Sequence, residues 1–307
     1  MTHASTTGSH MEAELRSQPQ TWAIAAGLRE EQSLLPAAGE RIAVVGCGTS
    51  WFMAQSYAVL RERAGHGVTD AYAASEAFVD ADAFRARDYD AIVAITRSGT
   101  TTEVLELLDG LRSAGNRART VGIVGDPDTP LVELVDTAIR LPFADEQSVV
   151  QTRFATTALA LVRASLGHDL AAAIDQAAAA VEEDLDDALI DAEQYAFLGT
   201  GWTVGLAHEA ALKMREASQS WTESYPAKEY RHGPIAIAAP NRVTWMLGEA
   251  PDGLSGDVAA TGARFEDRPI DGMADLVRAQ RVALARARRA GLDPDRPRNL
   301  TRSVILP

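Results

Sequence analysis

Two carboxylates (Glu209, Glu216), two amines (Lys213, Lys228) and an imidazole (His232) crowd one stretch, His208 to Ala236, reading HEAALKMREASQSWTESYPAKEYRHGPIA. A positioned carboxylate and an imidazole are the usual means of taking and returning a proton near neutral pH. Leu206, Ala210, Met214 and Ala217 recur at helical spacing and predict a buried stripe. Glu209, Lys213 and Glu216 then stand at i, i+4 and i+7, so an ammonium lies between two carboxylates on another face. Past Pro226 the periodicity is lost, and Lys228, Glu229, Arg231 and His232 precede a break at Gly233-Pro234. The same residues would also serve as a salt-bridged surface helix followed by a polar loop, and spacing alone favours that plainer reading. One compositional fact weighs against it. Of 29 basic side chains only two are lysine, and both lie here. A compact ammonium, where arginine is used everywhere else, points to a role a planar guanidinium would not fill.

The elements that must position this stretch can be read from the rest of the chain. At 307 residues, 46% hydrophobic and 23% charged, it has the composition of a globular protein of two ordinary domains. The net charge of −14 argues against a nucleic-acid or anionic-membrane surface, so an anionic ligand must be held by local donors. Residues 1–20 read as an N-terminal arm outside the fold, with no apolar secretory core and a GSHM that resembles a vector scar. Cys47 is the sole cysteine, which excludes an intrachain disulfide and a cysteine-built metal site and fits a reducing cytoplasm.

A first helix is predicted over Pro19–Leu35, and strands over Arg41–Val45, Val68–Ala73, Asp90–Ile95, Thr120–Val124 and Thr137–Leu141. Helices are expected over Trp51–Ala64, Glu103–Ala114 and Ser148–Leu166. Alternation of strand and helix implies right-handed crossovers and a doubly wound parallel sheet. The first domain is placed at 21–167, a connecting helix at 168–190 and a second, trimmed α/β domain at 191–307. The second domain has strands at Tyr195–Leu198 and Val243–Leu247 and a final helix at Gly272–Ala290.

Ligands of such sheets bind beyond the carboxyl ends of the strands. Two loops occupy that position: Gly48-Thr49-Ser50 after the first strand, and Thr96-Arg97-Ser98-Gly99-Thr100-Thr101 after the central one. Each combines glycine with hydroxyls that can donate to phosphate. Ser and Thr also cap helices, so either loop alone reads as a cap, and the two together make an anion site an even bet. Neither has the spacing of a Walker loop or a dinucleotide fingerprint.

GCGTS, TRSGTTTE, ExALKxxE (EAALKMRE), EYRHGP and the terminal PRNLTRSV, in that order, resemble the sugar isomerase (SIS) family over most of the chain. The resemblance implies two flavodoxin-like units and a sugar-phosphate site. Gly48, Thr49, Ser50, Thr96, Arg97, Ser98 and Thr101 would hold the phosphate, with Val149 and Gln151 beside the sugar. Glu216 would be the base that moves a proton between C1 and C2, Glu209 and Lys213 its braces, and His232 the ring-opening acid–base group. It further implies a homodimer whose His232 is contributed across the interface, with no cofactor and no metal. Arg302 stands where the glutamine-dependent members carry a Schiff-base lysine. A guanidinium cannot form that adduct and would bind a hydroxyl or a negative substituent. The residues give no sign of a glutamine-hydrolysing domain, and the glutamine-dependent reaction is not expected of this chain alone. The chain is therefore expected to be a phosphosugar isomerase or aminosugar-phosphate deaminase. A fructosamine-phosphate deglycase is the alternative, and a non-catalytic sugar-phosphate sensor the alternative of another class.

Overall fold

The computed structural model describes residues 7–306, which form an α/β chain with two fully parallel sheets. The chain divides into two units whose segments interleave. One comprises Gln20–Glu146, Arg153–Leu170 and the segment from Arg302. The other comprises the segment up to Pro19, Gln147–Thr152 and Ala171–Thr301. The first helix, α1 (Ser9–Arg16), falls in the second of these and is described there.

The first unit is entered through α2 (Gln18–Gly27) and α3 (Arg29–Ser33). The single helix predicted over Pro19–Leu35 is thus broken, and the physical reason is local. The chain turns at Leu28 after Gly27, and the Gln32 side-chain amide donates to the Ala25 and Ala26 carbonyls (both 3.1 Å) at the end of α2, where Ala25 also accepts the Leu28 amide. Then follow β1 (Ile42–Gly46), α4 (Thr49–Arg63), β2 (Thr69–Ala73), α5 (Ala74–Val79), α6 (Ala81–Arg85), β3 (Ala91–Thr96) and α7 (Thr102–Ser113). The unit closes with β4 (Arg119–Val124), α8 (Leu131–Leu134), β5 (Thr137–Arg140) and α9 (Arg153–Ser165). The strand order is β2-β1-β3-β4-β5, a flavodoxin-like sheet whose winding reverses between β1 and β3. Every residue of β1 and β3 is buried, as apolar runs covered on both faces must be. Leu107, Leu108 and Leu111 of α7 pack on this sheet beside Ile92 and Ala94, each such leucine contributing roughly 1.5–3 kcal/mol.

The second unit contains α10 (Ala171–Glu182), α11 (Asp187–Ile190), β6 (Gln194–Gly199), α12 (Thr203–Ser218), β7 (Thr222–Pro226) and β8 (Arg242–Leu247). After these come α13 (Leu254–Ala260), β9 (Arg264–Asp267) and α14 (Gly272–Arg289). Its order, β7-β6-β8-β9, repeats that of the first sheet without the fifth strand, so the second unit is trimmed as anticipated. Its sheet is covered by α12 and α14, and α14 is tied down by an ion network. The Arg278 guanidinium meets Asp275 (2.7 Å), Glu266 (2.6 Å) and Glu183 (2.7 Å) and lies 5.1 Å from the Trp245 ring centroid. Trp245 Nε1 donates to the other Asp275 oxygen at 3.0 Å. Burial pushes the Asp275 carboxyl up to about 6 in spite of these donors.

Four expectations need correction. The N-terminal arm is folded from Ser9: Met11 and Leu15 are buried, and the Asp295 carboxylate accepts from the His10 (3.0 Å) and Met11 (2.8 Å) amides. That carboxylate caps a helix nearly the whole chain length away in sequence. The stretch 168–190 is two helices, α10 and α11, both within the second unit, which takes up the chain at Ala171. Asp186 caps α11 through the Ala188 amide (2.9 Å), which interrupts any continuous connector. Ser148–Gln151 lies outside α9, because Val149 and Val150 donate to the Asp295 and Pro294 carbonyls of the tail. Finally, β7 forms where a polar loop was read, and α13 and β9 form in the Gly-rich acidic stretch and just beyond it. No helix among the described residues is long and apolar enough to cross a membrane.

Candidate functional site

Both candidate anion loops sit at the switch point of the first sheet, at the carboxyl ends of its neighbouring strands β1 and β3. Gly48 adopts φ 52°, ψ −122°, a conformation side-chain-bearing residues avoid, and leads Thr49 and Ser50, both buried, into the first turn of α4. The loop after β3 holds Thr96, Arg97 and Ser98 buried and Thr101 half-buried. Its shape is set internally: Thr96 Oγ1 accepts from the Gly99 amide (3.2 Å), Ser98 Oγ from the Thr100 amide (3.3 Å), and the Arg97 carbonyl from Gly125 and Asp126. Gly99 has φ 61°, and a Cβ there would fall 2.1 Å from Thr129 Oγ1. Neither α4 nor α7 is capped by the side chain of its N-cap residue. The N-cap of α4 is Gly48, which has no side chain, and the Thr101 hydroxyl makes no cap hydrogen bond to α7. Cys47, between them, stays a thiol: burial and the nearby Glu103 carboxylate push it up to about 11.

The tail of the chain packs against the loop after β3, a feature the residue pattern did not disclose. Ser303 Oγ lies 3.0 Å from Thr100 Oγ1 and 3.4 Å from Thr101 Oγ1, and the Val304 carbonyl accepts the Thr102 amide. Arg97 donates to the Arg302 carbonyl at 2.6 Å. The Arg302 guanidinium is held by the Asp145 carboxylate and the Glu146 carbonyl. It thus anchors the tail through its own ion pair. The only sequence signal for Ser303 was a hydroxyl beside Arg302 in the terminal motif.

The candidate acid–base residues lie in the second unit. Glu209, Lys213 and Glu216 share one face of α12, as their spacing requires, and the face points inward. Glu209 is 0% and Lys213 1% exposed, while the Glu216 side chain is 19% exposed. Lys213 Nζ stands 3.7 Å from Glu209 Oε1 and hydrogen-bonds Glu216 Oε2 directly. The salt-bridged surface helix is therefore excluded, since its central ammonium is buried. Such an ion triplet is costly to desolvate. Glu216 is the member with an opening to solvent, and it lines a cavity of about 460 Å3 with Leu212 of the same helix and Leu300 of the tail. One residue before the triplet, His208 Nδ1 lies 2.9 Å from Ser224 Oγ, and burial, then the Arg215 charge, holds the imidazole below its ordinary range.

His232 is exposed at the end of a 3-10 turn, Glu229–His232. The turn is fixed by buried Tyr230, whose hydroxyl meets Thr244 Oγ1 at 3.0 Å, and by Arg231, which pairs with Asp257 at 2.5 Å. Among the described residues no hydrogen bond or ion pair joins His232 to Glu216. Val149 and Gln151 lie in the segment that pairs with the tail, and Gln151 Nε2 is buried with no hydrogen-bond partner among the described residues. An orphaned buried donor is rare, and a ligand hydroxyl would satisfy it. The turn after β6 does not repeat the phosphate loop. Thr203 Oγ1 accepts the Thr200 amide (2.8 Å), and a Cβ at Gly199 would lie 2.2 Å from the Thr203 carbonyl oxygen, so that turn is filled from within.

Comparison with known proteins gives these parts a context. The SIS domain family model matches residues 35–166, the range that holds the first sheet. The glutamine–fructose-6-phosphate aminotransferase (isomerizing) of Gloeobacter violaceus is 28% identical over 323 aligned residues, covering 87% of this chain and 52% of that protein. Its counterpart in a Nostoc species is 29% identical, with the same coverage of 87% and 52%. The chain thus spans about half the length of the curated relatives it matches. Among solved structures, a glucosamine-6-phosphate deaminase from Thermotoga maritima shares the fold with a TM-score of 0.79 at 23% identity, over 98% of this chain and 100% of that one. A tagatose-6-phosphate ketose/aldose isomerase from Escherichia coli gives 0.79 at 18% identity, over 97% and 96%.

Proposed function

Because residues 35–166 match the SIS domain family model, we propose that the chain is a phosphosugar isomerase or aminosugar-phosphate deaminase acting at C1 and C2 of a sugar 6-phosphate. The observation that carries this reading is the buried Glu209–Lys213–Glu216 triplet, with one carboxylate left open to a cavity. A sensor needs phosphate donors alone and gains nothing from burying an ammonium between two acids.

In this reading the hydroxyls and first-turn amides around Gly48–Ser50 and Thr96–Thr101 bind the phosphate and so fix the far end of the sugar. Gln151 Nε2 and the backbone at Val149 meet sugar hydroxyls. Glu216, kept ionised and oriented by Lys213, takes a proton from one carbon of the open-chain sugar and returns it to the next through an enediol or enolamine. Glu209 fixes Lys213 and touches no substrate. His232 opens the ring. The exposed turn that carries it is rigidly anchored at Tyr230 and Arg231, and we assign it to the site of a second subunit in a two-fold dimer.

The test is a panel of phosphosugars and aminosugar phosphates assayed for ketose formation and for ammonia. Ketose without ammonia identifies an isomerase, and ammonia from glucosamine 6-phosphate a deaminase. Tight binding of several sugar phosphates with no turnover of any would replace the enzyme by a sensor.

A further inference from the structure

We infer that Glu14 is a positioning residue for the sugar: from α1 it sets the course of the segment Gln147–Thr152 and so presents Gln151 Nε2 to a sugar hydroxyl. The inference rests on the reading above, in which Gln151 meets the sugar. It makes the opening helix a working part of substrate binding, although it lies far in sequence from every candidate site residue.

Gln147–Thr152 belongs to the unit of the second sheet, although the stretches on either side of it in sequence belong to the other. It forms neither helix nor strand, so no ladder of its own meets its amides and their partners must come from elsewhere. Two elements of the same unit supply them. Glu14 Oε1 accepts from the Gln147 amide and, at 3.2 Å, from the Ser148 amide. The Val149 and Val150 amides donate to the Asp295 (3.3 Å) and Pro294 (3.4 Å) carbonyls, and Ser148 Oγ lies 3.2 Å from the same Pro294 oxygen. Successive amides are thus met in order, the first pair by α1 and the next by the tail. The tail is tied to α1 in turn, because the Asp295 carboxylate accepts the His10 and Met11 amides. Glu14 closes this ring of three segments.

Met11, Glu14 and Leu15 fall at i, i+3 and i+4 and make the buried face of α1, with Glu14 only 3% exposed. An apolar residue in its place would be buried without the cost of desolvating a carboxylate, so packing does not account for the choice. The two successive amides do, since together they form a concave donor pair that fits an anionic oxygen. The effect is read at the far end of the segment. Val150 and Thr152 are wholly buried, so the backbone is held on both sides of Gln151. Gln151 Nε2 is itself buried and makes no hydrogen bond among the described residues. A carboxamide with its donor unspent is aimed by the backbone that carries it. If Glu14 is removed or shortened, two peptide planes lose their acceptor and the donor leaves the line that a hydrogen bond requires.

The experiment is a double-mutant cycle read by calorimetry with glucosamine 6-phosphate, fructose 6-phosphate and inorganic phosphate. Gln151→Ala and Glu14→Ala should each weaken the tighter-binding sugar phosphate by about 3–10-fold, the worth of one hydrogen bond. The double variant should bind no more weakly than Gln151→Ala alone, because the two residues serve one contact. Glu14→Gln keeps an oxygen for both amides and should restore affinity to within about two-fold of wild type. Inorganic phosphate should bind all of them alike. Where Glu14→Ala fails to fold, Glu14→Asp takes its place in the cycle, since it keeps the carboxylate and draws it back by one methylene. Losses that multiply in the double variant, or that extend to inorganic phosphate, overturn the positioning role. So does a Glu14 variant that binds as wild type while Gln151→Ala does not, and the function then stands. If Gln151→Ala costs nothing while sugar phosphates are still turned over, the inference fails and the proton-transfer reading survives. Wild-type protein that binds neither sugar phosphate overturns both.

Discussion

Replacing Lys213 by methionine should cost the protein about 3–5 kcal/mol, far beyond a surface ion pair. The side chain is 1% exposed, and methionine fills nearly its volume, so little of the loss comes from packing. The cost comes from Glu209, which is 0% exposed and loses an ammonium 3.7 Å from its Oε1. Glu216, 19% exposed, can reach water and suffers less. For a unit of this size each kcal/mol lowers the melting temperature by about 2–4 °C, so the transition of the second-sheet unit should fall by roughly 6–20 °C. Scanning calorimetry would separate the two units if they melt independently, and circular dichroism would follow the sum. The companion variant Lys213→Met/Glu209→Met removes the stranded carboxylate with the ammonium and should regain most of the loss. It should remain inactive, since Glu216 has lost the group that orients it. A single variant that melts within 2 °C of wild type would refute the account of a charged, buried triplet. A double variant no better than the single would place the cost in packing.

Three further outcomes follow from the geometry. Ser98→Ala should weaken sugar-phosphate binding by roughly 1.5–3 kcal/mol and leave the unphosphorylated sugar unaffected; equal losses by calorimetry would remove Ser98 from the phosphate site. Coexpressed or co-refolded Glu216→Ala and His232→Ala chains should regain activity in about a quarter of sites, because mixed dimers hold one site with both residues; demonstrably mixed but dead dimers would end the shared-site proposal. Asp275 binds its proton more tightly folded, at about 6, than unfolded, near the ordinary 3.8, so its share of stability is complete below pH 3.8 and is lost as pH rises through 6. In Asp275→Asn the fall in melting temperature between pH 4 and 7 should therefore be shallower than in wild type, and an unchanged slope would show that Asp275 ionises normally.

Legibility in the sequence followed locality. The apolar run of β3 and the stripe of α12 announce themselves, because the residues that bury each element lie within it. The triplet was readable for the same reason: i, i+4 and i+7 fix a helix face whatever surrounds it. Its burial was not readable, since that depends on what packs above, and spacing alone pointed to a solvated face. β7 escaped because an edge strand reading TESYP has neither an apolar run nor a turn-free flank. α1 escaped because its two buried anchors, Met11 and Leu15, and its cap, Asp295, come together only in the folded chain. Ser303 is the plainest case. Only its hydroxyl beside Arg302 marks it, and its place beside Thr100 and Thr101 is decided by where the Arg302–Asp145 pair pins the tail.

The interleaving of segments between the two units bears on how the protein comes to be made. Residues from Arg302 onward complete the unit whose strands were synthesised first, and the segment before Gln20 completes the unit synthesised last. The earlier sheet can therefore gather its strands on the ribosome while the loop after β3 stays without Ser303 and the Val304 carbonyl. The opening helix must wait for Asp295 before its first amides are met. Vectorial folding of one finished half after the other is closed to such a chain.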